Sequence, residues 1–550
     1  MSIALNVNST SDGTVVNNVR KIENVYPVES VVLGFICLII SLIGGTILTD
    51  YYGIIPKDAQ SRVLNAYYVI IHGMHLAAIG FIWNPLPSFI ELPLVLFHSV
   101  FPSLLQQNLA GVIMSSIFAG VMIFFFNRIL IKVKLPSIFR VLATLLFMLN
   151  PMILYYNGNG MSESMMLATM LGIVDNLISF HLEKDTKFLV RAGIWLALCF
   201  LARYEALFFA LFIGIALVIY FITQRYSIAK ITSLILLLAL PITYALIVWI
   251  FFNWTIMGNP LYFLNSAYSN SGQASAGVNV TSIAAITSHH LLKSLYYALR
   301  FGIVFPPYFV GVVLAVILMF PKKSRFTSLL ILFASLAIPL LQAYMMYKNQ
   351  SGLWGRYFIS YIPFGFLLLL IPLSYLKGFL KYSLLTICVI CFLAGDFYSY
   401  KYEISPVYGH GDWRYFKLIS TLKPISATDN PIYTPLNIFK DGKLVASYIN
   451  SRPNERFLFD SFDESESIPY LTNPNHVIIT SDYTFNGVLN NPRGRVNYFI
   501  VPEPIDVSKL DAINQLYPTM WYGGVKWVKF VHQFHDFTNS RVFEILSDAP

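Results

Sequence analysis

Charged residues are scarce in this chain of 550 residues, where they make up only 12% of the sequence. Soluble globular domains carry roughly 25% charged residues, so this composition excludes an ordinary soluble protein. Hydrophobic residues reach 56% and the mean hydropathy is +0.63. Apolar runs long enough to cross a bilayer as helices recur along the sequence. The chain is therefore predicted to be a polytopic integral membrane protein.

Cysteine is also rare. The four cysteines all lie in hydrophobic segments, and residues 401–550 contain none. A disulfide framework therefore does not hold the polar C-terminal part together.

Common catalytic and nucleotide-binding motifs are missing from the sequence. It contains no P-loop, no G-x-G-x-x-G fingerprint, no H-E-x-x-H and no G-x-S-x-G. Nothing in it indicates nucleotide hydrolysis or a serine hydrolase.

The net charge of +9 does not indicate a nucleic-acid partner. Residues 401–550 hold 14 basic and 16 acidic residues, a balance of −2. The remaining 37 − 14 = 23 basic and 28 − 16 = 12 acidic residues give the preceding part a balance of +11. Basic residues in short loops set the orientation of membrane helices, which accounts for the excess without nucleic acid.

The hydrophobic pattern predicts an all-α membrane domain of about eleven spans over residues 31–400, with the first at Val31–Leu48 and the last at Tyr382–Tyr398. Residues 1–30 are predicted to be a polar cytoplasmic segment. Short loops assigned to the inside hold 14 basic residues and those assigned to the outside hold six, which is the positive-inside bias. This orientation places residues 401–550 outside the cytoplasm.

The first outer loop, residues 50–107, is predicted to carry two interfacial helices rather than a span. One begins near Pro56 and runs to about Gly80, and the other covers about Ser88 to Gln107. If the second helix crossed the membrane, every later loop would change sides and the basic loops would face outward.

The C-terminal part is predicted to be a small extracytoplasmic α/β domain. Short β-rich runs alternate there with turn residues and a helix-like stretch at Asp506–Leu516. The predicted strands are His476–Thr480, Tyr498–Val501, Val525–Val531 and Val542–Leu546.

Few carboxylates are available on the outer side of the membrane domain. Asp58 falls in the first turn of a predicted helix, where the helix dipole favours an anion, and it shares a face with Arg62. Carboxylates near a bilayer are costly and indicate function, although each can also be a solvated loop charge or an ion-pair partner. The other acids of this kind are Asp50, Glu91, Glu163 and Glu205.

Basic side chains near outer helix ends are candidates for binding phosphate, because a guanidinium matches phosphate oxygens bidentately. Arg356 follows Trp354-Gly355 at a predicted helix start and is the strongest of these candidates. The alternative to phosphate binding is an arginine whose side chain only extends from the bilayer to water. His72 and His75 of the first loop are candidates for proton transfer or plain polar contacts. The other basic candidates are Arg62, Arg203 and Lys348.

This layout resembles the GT-C superfamily of membrane glycosyltransferases, such as protein mannosyltransferases and the aminoarabinose transferases of lipid A. Asp58, in Lys57-Asp58-Ala59-Gln60-Ser61-Arg62, matches the loop acid of that family. Trp83-Asn84-Pro85-Leu86-Pro87 resembles its His-Pro-Pro-Leu segment, with Asn84 in place of the histidine. Arg356-Tyr357 resembles an Arg-Tyr pair at the start of a late helix. The W-W-D-Y-G motif of oligosaccharyltransferases is absent, so the resemblance implies transfer of a single sugar.

The resemblance implies a polyprenyl-phosphate sugar as donor and a hydroxyl group of a lipid, glycan or protein as acceptor, among membrane lipids and without nucleic acid. Asp58 would act as general base, and Arg356 with Lys348 or Arg203 would stabilise the departing lipid phosphate. The remaining predicted substrate-binding residues are Asp50, Arg62, His75, Trp83, Asn84, Glu163 and Glu205. No cofactor is certain, and Asp50 with Asp58 is a candidate pair for a weakly held divalent cation.

Two other functions stay open from the sequence. A transporter or lipid-linked sugar flippase would be equally rich in membrane helices, but the acids gather at one face and no internal repeat is evident. A non-catalytic assembly subunit would use the outer domain as its binding module.

Overall fold

The structure is a computed structural model that describes residues 12–276, 282–351, 353–406, 412–420, 438–535 and 539–549. Within these ranges, strands occur only in the C-terminal part, and the rest of the secondary structure is helical. The predicted fold class, an all-α membrane domain followed by a small α/β domain, is confirmed.

The helices are long in the membrane domain and short elsewhere. Up to the end of the first loop they are α1 (Asp12–Thr46), α2 (Lys57–Ile71), α3 (Leu86–Val95) and α4 (Ser103–Gln106). The rest of the membrane domain contains α5 (Leu109–Lys132), α6 (Ser137–Leu149), α7 (Pro151–Gly158), α8 (Glu163–Glu183), α9 (Lys187–Ala202), α10 (Ala206–Thr223), α11 (Ile228–Met257), α12 (Tyr262–Asn265), α13 (Asn270–Ala276), α14 (Ser282–Thr287), α15 (Leu291–Phe301), α16 (Pro307–Leu318), α17 (Arg325–Tyr347), α18 (Tyr361–Ser374) and α19 (Gly378–Glu403). The C-terminal part contains α20 (Trp413–Ser420), α21 (Ile438–Asn450), α22 (Phe485–Asn490) and α23 (Ala512–Leu516).

The first helix begins earlier than predicted. Helix α1 starts at Asp12, so part of the segment predicted to be a polar tail is helical, while its apolar span is Val28–Tyr51. Residues 1–11 lie outside the described residues.

Eight helices of the described chain are long and apolar enough to cross a membrane, and ten spans result if each of two bent pairs counts as one. The pair α6 and α7 bends by 63°, and the pair formed by Leu291–Val304 and α16 bends by 111°. Proline begins the second helix in each pair. The one remaining predicted span, the first of two helices expected within residues 188–221, corresponds to α9, whose 16 residues are short for a bilayer core of about 30 Å. The prediction of about eleven spans thus counts these bent and short helices as full spans.

The two helices predicted in the first loop form, but both are shorter than predicted. Helix α2 ends at Ile71 instead of near Gly80, because Gly73 and Met74 adopt positive φ angles of 69° and 66°. The second stretch breaks into α3 and α4. Between them, an apolar surface is exposed that suits a membrane interface: Leu96, Phe97, Val100 and Phe101.

Helix α1 packs very closely against its neighbours through glycines. A Cβ atom on Gly34 would lie 2.7 Å from the Gly120 carbonyl oxygen, and one on Gly45 would lie 2.2 Å from the Gly158 carbonyl oxygen. Only residues without a side chain allow such an approach, which is how membrane helices gain van der Waals contact. Helix α1 is therefore locked to α5 and α7 just before the first loop begins.

The C-terminal domain contains a mixed five-stranded sheet of order β2-β1-β3-β5-β4. Its strands are β1 (Phe457–Leu458), β2 (Val477–Ile478), β3 (Tyr498–Val501), β4 (Val528–Gln533) and β5 (Arg541–Ile545). Strand β1 pairs in parallel with β2 and β3, whereas β5 pairs antiparallel with β3 and β4.

The predicted strands all appear in this sheet. Strand β3 matches its predicted range fully and the other three overlap theirs, while β1 was not predicted. The helix-like stretch at Asp506–Leu516 divides into a 3-10 helix at Asp506–Leu510 and α23.

Helix α2 joins the membrane domain to the C-terminal domain. Its buried Val63, Leu64, Tyr67 and Tyr68 belong to one hydrophobic core with side chains of α21 and the sheet. This shared core fixes the position of α2 relative to the C-terminal domain, because protein interiors pack at crystal-like density.

Candidate active site

Helix α2 begins at a proline that sets its direction. Pro56 has φ −62° and precedes the first helical residue, and the backbone N–H groups of Ala59 and Gln60 donate to its carbonyl oxygen over 3.0 and 3.1 Å. Asp58 falls in the first turn, where unpaired N–H groups and the helix dipole favour a negative charge.

Asp58 is paired with Arg356, which lies 298 residues further along the chain. Arg356 Nη2 donates to Asp58 Oδ2 over 2.6 Å. The Asp58 side chain is 30% exposed and that of Arg356 10% exposed. The carboxylate therefore remains accessible while the guanidinium behind it is nearly enclosed.

The Arg356 guanidinium is held in place by its neighbours. Its central carbon lies 4.6 Å from the Trp354 ring centroid and 5.8 Å from that of Tyr357, distances at which a cation is attracted to an aromatic ring. Its Nε lies 3.7 Å from Glu163 Oε1. The 3-10 helix Gly355–Phe358 that carries it leads directly into α18.

Arg62 stabilises the first turn of α2 through a hydrogen bond to its backbone. Its Nη1 donates to the backbone carbonyl of Asp58 over 2.7 Å, and its guanidinium lies 5.1 Å from the Trp83 ring centroid. It thus fixes the backbone of Asp58 rather than its carboxylate. Burial lowers the pKa of Arg62, and the negative charges of Asp58 and Glu163 oppose this.

A chain of ion pairs continues from Arg356 into the protein. Glu163, which is fully buried, accepts from Arg203 Nη1 over 2.8 Å as well as facing Arg356. Arg203 also donates to Glu205 Oε1 through Nη2 over 2.6 Å and through Nε over 3.0 Å. The structure therefore brings six predicted site residues together in one charge-balanced cluster: Asp58, Arg62, Glu163, Arg203, Glu205 and Arg356.

The pKa values in the loop between α9 and α10 follow from this pairing. Burial by itself lowers the pKa of Arg203, but the charges of Glu205 and Glu163 raise it above its ordinary value. Burial by itself raises the pKa of Glu205, but Arg203 brings it below its ordinary value. Both groups therefore stay ionised at neutral pH.

Asp412 is a site residue that the sequence did not single out. Asp412 is buried, and its Oδ2 accepts a hydrogen bond from the Tyr156 hydroxyl. The positive charge of Arg356 attracts its carboxylate. Burial raises the pKa of Asp412, and Arg356 and Tyr156 counteract this. The only signal in the sequence is an acid in Gly411-Asp412-Trp413 soon after the last span.

Glu91 of α3 lies close to Arg62 but is not hydrogen-bonded. It is fully buried, and in the described structure neither carboxylate oxygen has a hydrogen-bond partner. Burial raises the pKa of Glu91 well above its ordinary value, and Arg62 offsets only part of this. Glu91 therefore differs from the ionised acids of the cluster.

Other predicted site residues lie elsewhere. Asp50 is exposed in the π-helical turn Ile47–Tyr51, and His75 is exposed at the start of a 3-10 helix. Lys348 is exposed at the end of α17, where its Nζ lies 5.7 Å from the Tyr347 ring centroid. Asn84 is buried and donates to the Phe200 carbonyl over 2.5 Å. Its amide links the first loop to α9, which is a structural contact.

The described residues do not fit a divalent cation. No group of three or more His, Cys, Asp or Glu side chains within them is arranged to hold a metal ion. Asp58 is engaged with a guanidinium, and its predicted partner Asp50 is exposed in a separate turn. No step of the chemistry below is routed through a metal.

No protein-family model and no curated protein matches the chain. One of the solved structures that match is the archaeal oligosaccharyltransferase AglB from Archaeoglobus fulgidus, in complex with an inhibitory peptide and a dolichol-phosphate. The match covers 85% of this chain and 69% of that chain, with 10% sequence identity and a TM-score of 0.44. AglB is a member of the GT-C superfamily that the sequence resembles. This is a likeness of overall fold alone.

Proposed function

We propose that this chain is a membrane glycosyltransferase that moves a single sugar from a polyprenyl-phosphate donor to a hydroxyl acceptor. The reaction takes place on the extracytoplasmic side, which the basic inner loops favour. The observation that carries the proposal is the partly exposed Asp58 carboxylate paired with the enclosed Arg356 guanidinium. Together they provide a base and a phosphate-binding group at one point.

Asp58 is the general base of the proposed reaction. It accepts the proton of the acceptor hydroxyl as that oxygen attacks the anomeric carbon. The new bond joins the acceptor oxygen to the sugar, and the bond between the anomeric carbon and the phosphate oxygen breaks. Both bonding electrons leave with the lipid phosphate, and the proton remains on Asp58 until water removes it.

Arg356 binds the phosphate of the donor. A guanidinium forms paired hydrogen bonds with phosphate oxygens and stabilises the charge that develops as the sugar departs. Arg356 pairs with Asp58 over 2.6 Å. Donor phosphate replaces Asp58 as the partner of the guanidinium, which leaves the carboxylate free to accept a proton.

Glu163, Arg203 and Glu205 set the position of Arg356. Glu163 faces both arginines, and Arg203 is fixed in turn by Glu205. A fixed guanidinium needs little reorganisation when charge develops on the phosphate, which is the basis of electrostatic catalysis.

The test is the release of polyprenyl phosphate from polyprenyl-phosphate mannose or glucose by the full chain in lipid vesicles, with a membrane lipid extract as acceptor. Asp58→Asn keeps the shape of the side chain but removes the base, so we expect turnover to fall about 10²- to 10⁴-fold. The matched control is Asp185→Asn, which removes an exposed loop carboxylate and leaves turnover unchanged.

Two results would overturn the proposal. Turnover of Asp58→Asn close to wild type would remove the base assignment. Passage of the labelled sugar across the vesicle membrane without cleavage of the sugar–phosphate bond would indicate a flippase instead.

A further inference from the structure

Lys57, the first residue of α2, has a charge that its helix does not favour. The N-terminus of a helix carries a partial positive charge, so a lysine there is unfavourable and an aspartate is favourable. Asp58 satisfies this preference and Lys57 opposes it. The position of Lys57 therefore depends on a negative partner outside the helix.

That partner lies in the C-terminal domain. Lys57 Nζ is 2.7 Å from Glu466 Oε1, with side-chain exposures of 40% and 10%. Burial by itself lowers the pKa of Lys57, but Glu466 and the nearby Asp463 and Glu464 raise it above its ordinary value. The ammonium group thus stays charged and faces an acidic surface of the C-terminal domain.

We propose that Glu466 is a positioning residue for the reaction: it holds Lys57, and through Lys57 it fixes the first turn of α2 and the direction of the Asp58 carboxylate. The catalytic part of this inference rests on the function proposed above. The contact between Lys57 and Glu466 does not depend on that function.

Glu466 is well placed to hold a helix because its own backbone is fixed. It lies in the 3-10 helix Ser465–Tyr470, which packs on α21. A Cβ atom on Gly442 of α21 would lie 2.2 Å from the Glu466 carbonyl oxygen, so the two backbones are in direct contact. A rigid residue transmits its position to its partner more reliably than a residue on a loose loop.

The far end of α2 is attached to the same domain. His72, just past the end of the helix, lies 3.2 Å from Ser481 Oγ through Nε2 and 3.4 Å from Asp482 Oδ1 through Nδ1. Between the two ends, the buried face of α2 shares a hydrophobic core with α21 and the sheet. The C-terminal domain therefore holds α2 at its start, along its length and at its end, and only the start adjoins Asp58.

The first test measures the position of α2 without any substrate. Hydrogen–deuterium exchange of the full chain in lipid nanodiscs is compared for wild type, Glu466→Gln and Glu455→Gln. The control variant loses a carboxylate of the same domain that pairs with Arg452 over 3.6 Å, away from α2. We expect at least tenfold faster exchange in the first two turns of α2 for Glu466→Gln alone. Equal exchange in all three proteins would overturn the proposal.

The second test separates positioning from general stability. We expect Glu466→Gln to lower kcat about 5- to 20-fold with an unchanged KM for the donor, since Arg356, which binds the donor phosphate in the proposed reaction, is untouched. In a Lys57→Met background, Glu466→Gln should have no further effect on kcat. Additive losses, or a loss confined to KM, would refute the positioning role.

The two tests also separate this inference from the proposed function. If the wild-type chain transfers no sugar but exchange in α2 still responds to Glu466→Gln, the contact stands and the glycosyltransferase assignment fails. If transfer occurs and neither kcat nor exchange responds, the glycosyltransferase assignment stands and the role of Glu466 fails.

Discussion

The two sides of α2 differ in the ratio of acidic to basic side chains. On the membrane side, three acids lie in one cluster with three arginines: Asp58, Glu163 and Glu205 with Arg62, Arg203 and Arg356. On the side of the C-terminal domain, Lys57 faces Asp463, Glu464 and Glu466, and the buried Asp460 and Asp511 interact with Asp463 behind them. The first group contains three acids and three arginines, and the second contains five acids and one lysine.

This difference in composition explains the different pKa values of the acids in the two groups. Burial raises the pKa of an acid unless a cation compensates. Arg203 compensates for Glu205 and its pKa is lowered, whereas Asp463 lies beside other acids and burial raises its pKa to about 7. Arg203 thus keeps Glu205 ionised at neutral pH, whereas Asp463 binds its proton up to about pH 7.

The largest effect is expected from breaking the first group. Arg203→Met leaves Glu163 and Glu205 buried without their main partner, so we expect a loss of about 3–5 kcal/mol in the free energy of unfolding. The measurement is an SDS titration of the detergent-solubilised protein followed by circular dichroism.

The matched control for Arg203→Met is Lys187→Met. Lys187 pairs with Asp185 over 2.9 Å, but both side chains are about half exposed, at 51% and 43%. Exposed pairs contribute at most about 1 kcal/mol. A similar loss in the two variants would show that burial does not decide the cost of breaking these pairs.

A smaller effect is expected when pH titrates the acidic group. The pKa of Asp463 is about 7 in the folded protein and about 4 in an unfolded chain. Between these values the folded state binds a proton that the unfolded state has lost. The contribution of Asp463 to stability is therefore greatest below about pH 4 and is lost as pH rises through about 7, by on the order of a few kcal/mol. Thermal unfolding from pH 4 to 8 measures this.

Asp463→Asn should flatten that part of the pH profile, because asparagine cannot titrate. Asp506→Asn, which removes an exposed carboxylate of the same domain, should leave the slope unchanged. A slope that persists in Asp463→Asn would mean that Asp460 and Asp511, whose pKa values burial also raises, dominate the profile.

The smallest effect is expected from replacing Glu91, which belongs to neither of these two groups. Both of its carboxylate oxygens are buried without a hydrogen-bond partner in the described structure. A neutral or apolar replacement of similar size costs little where a polar group is unsatisfied. We expect Glu91→Gln and Glu91→Met to change the free energy of unfolding by less than about 1 kcal/mol. A loss above 2 kcal/mol in both would indicate that the carboxylate has an essential partner.

The sequence was informative where a local pattern decides the outcome. Pro56 followed by Asp58 predicts a helix start with an acid in its first turn, and the structure has both. The strand at Tyr498–Val501 was predicted at its true ends because turn residues flank an apolar run. Each of these features is determined by residues that lie close together in the sequence.

The sequence was less informative where distant segments meet. The sequence offers Arg62, Arg203 and Arg356 equally as ion-pair partners of an outer acid such as Asp58, and it does not select Arg356, which lies 298 residues away. Asp412 was missed because an acid after a last span looks like any polar linker residue. Lys348 is a predicted site residue because it lies near an outer helix end, yet it follows α17 on an exposed surface. The ends of α2 depended on backbone angles at Gly73 and Met74 that apolar patterning does not encode.

The glycine contacts of α1 have a consequence for the length of that helix. Gly34 and Gly45 touch the backbones of α5 and α7, so neither sliding nor turning of α1 is available to absorb a change in sequence. An α-helix turns by about 100° for each residue. One residue inserted between Gly45 and Tyr51 would thus rotate the exit of the first span and move Asp58 away from its guanidinium. In the proposed reaction, the number of residues in this segment therefore matters as much as the acid itself.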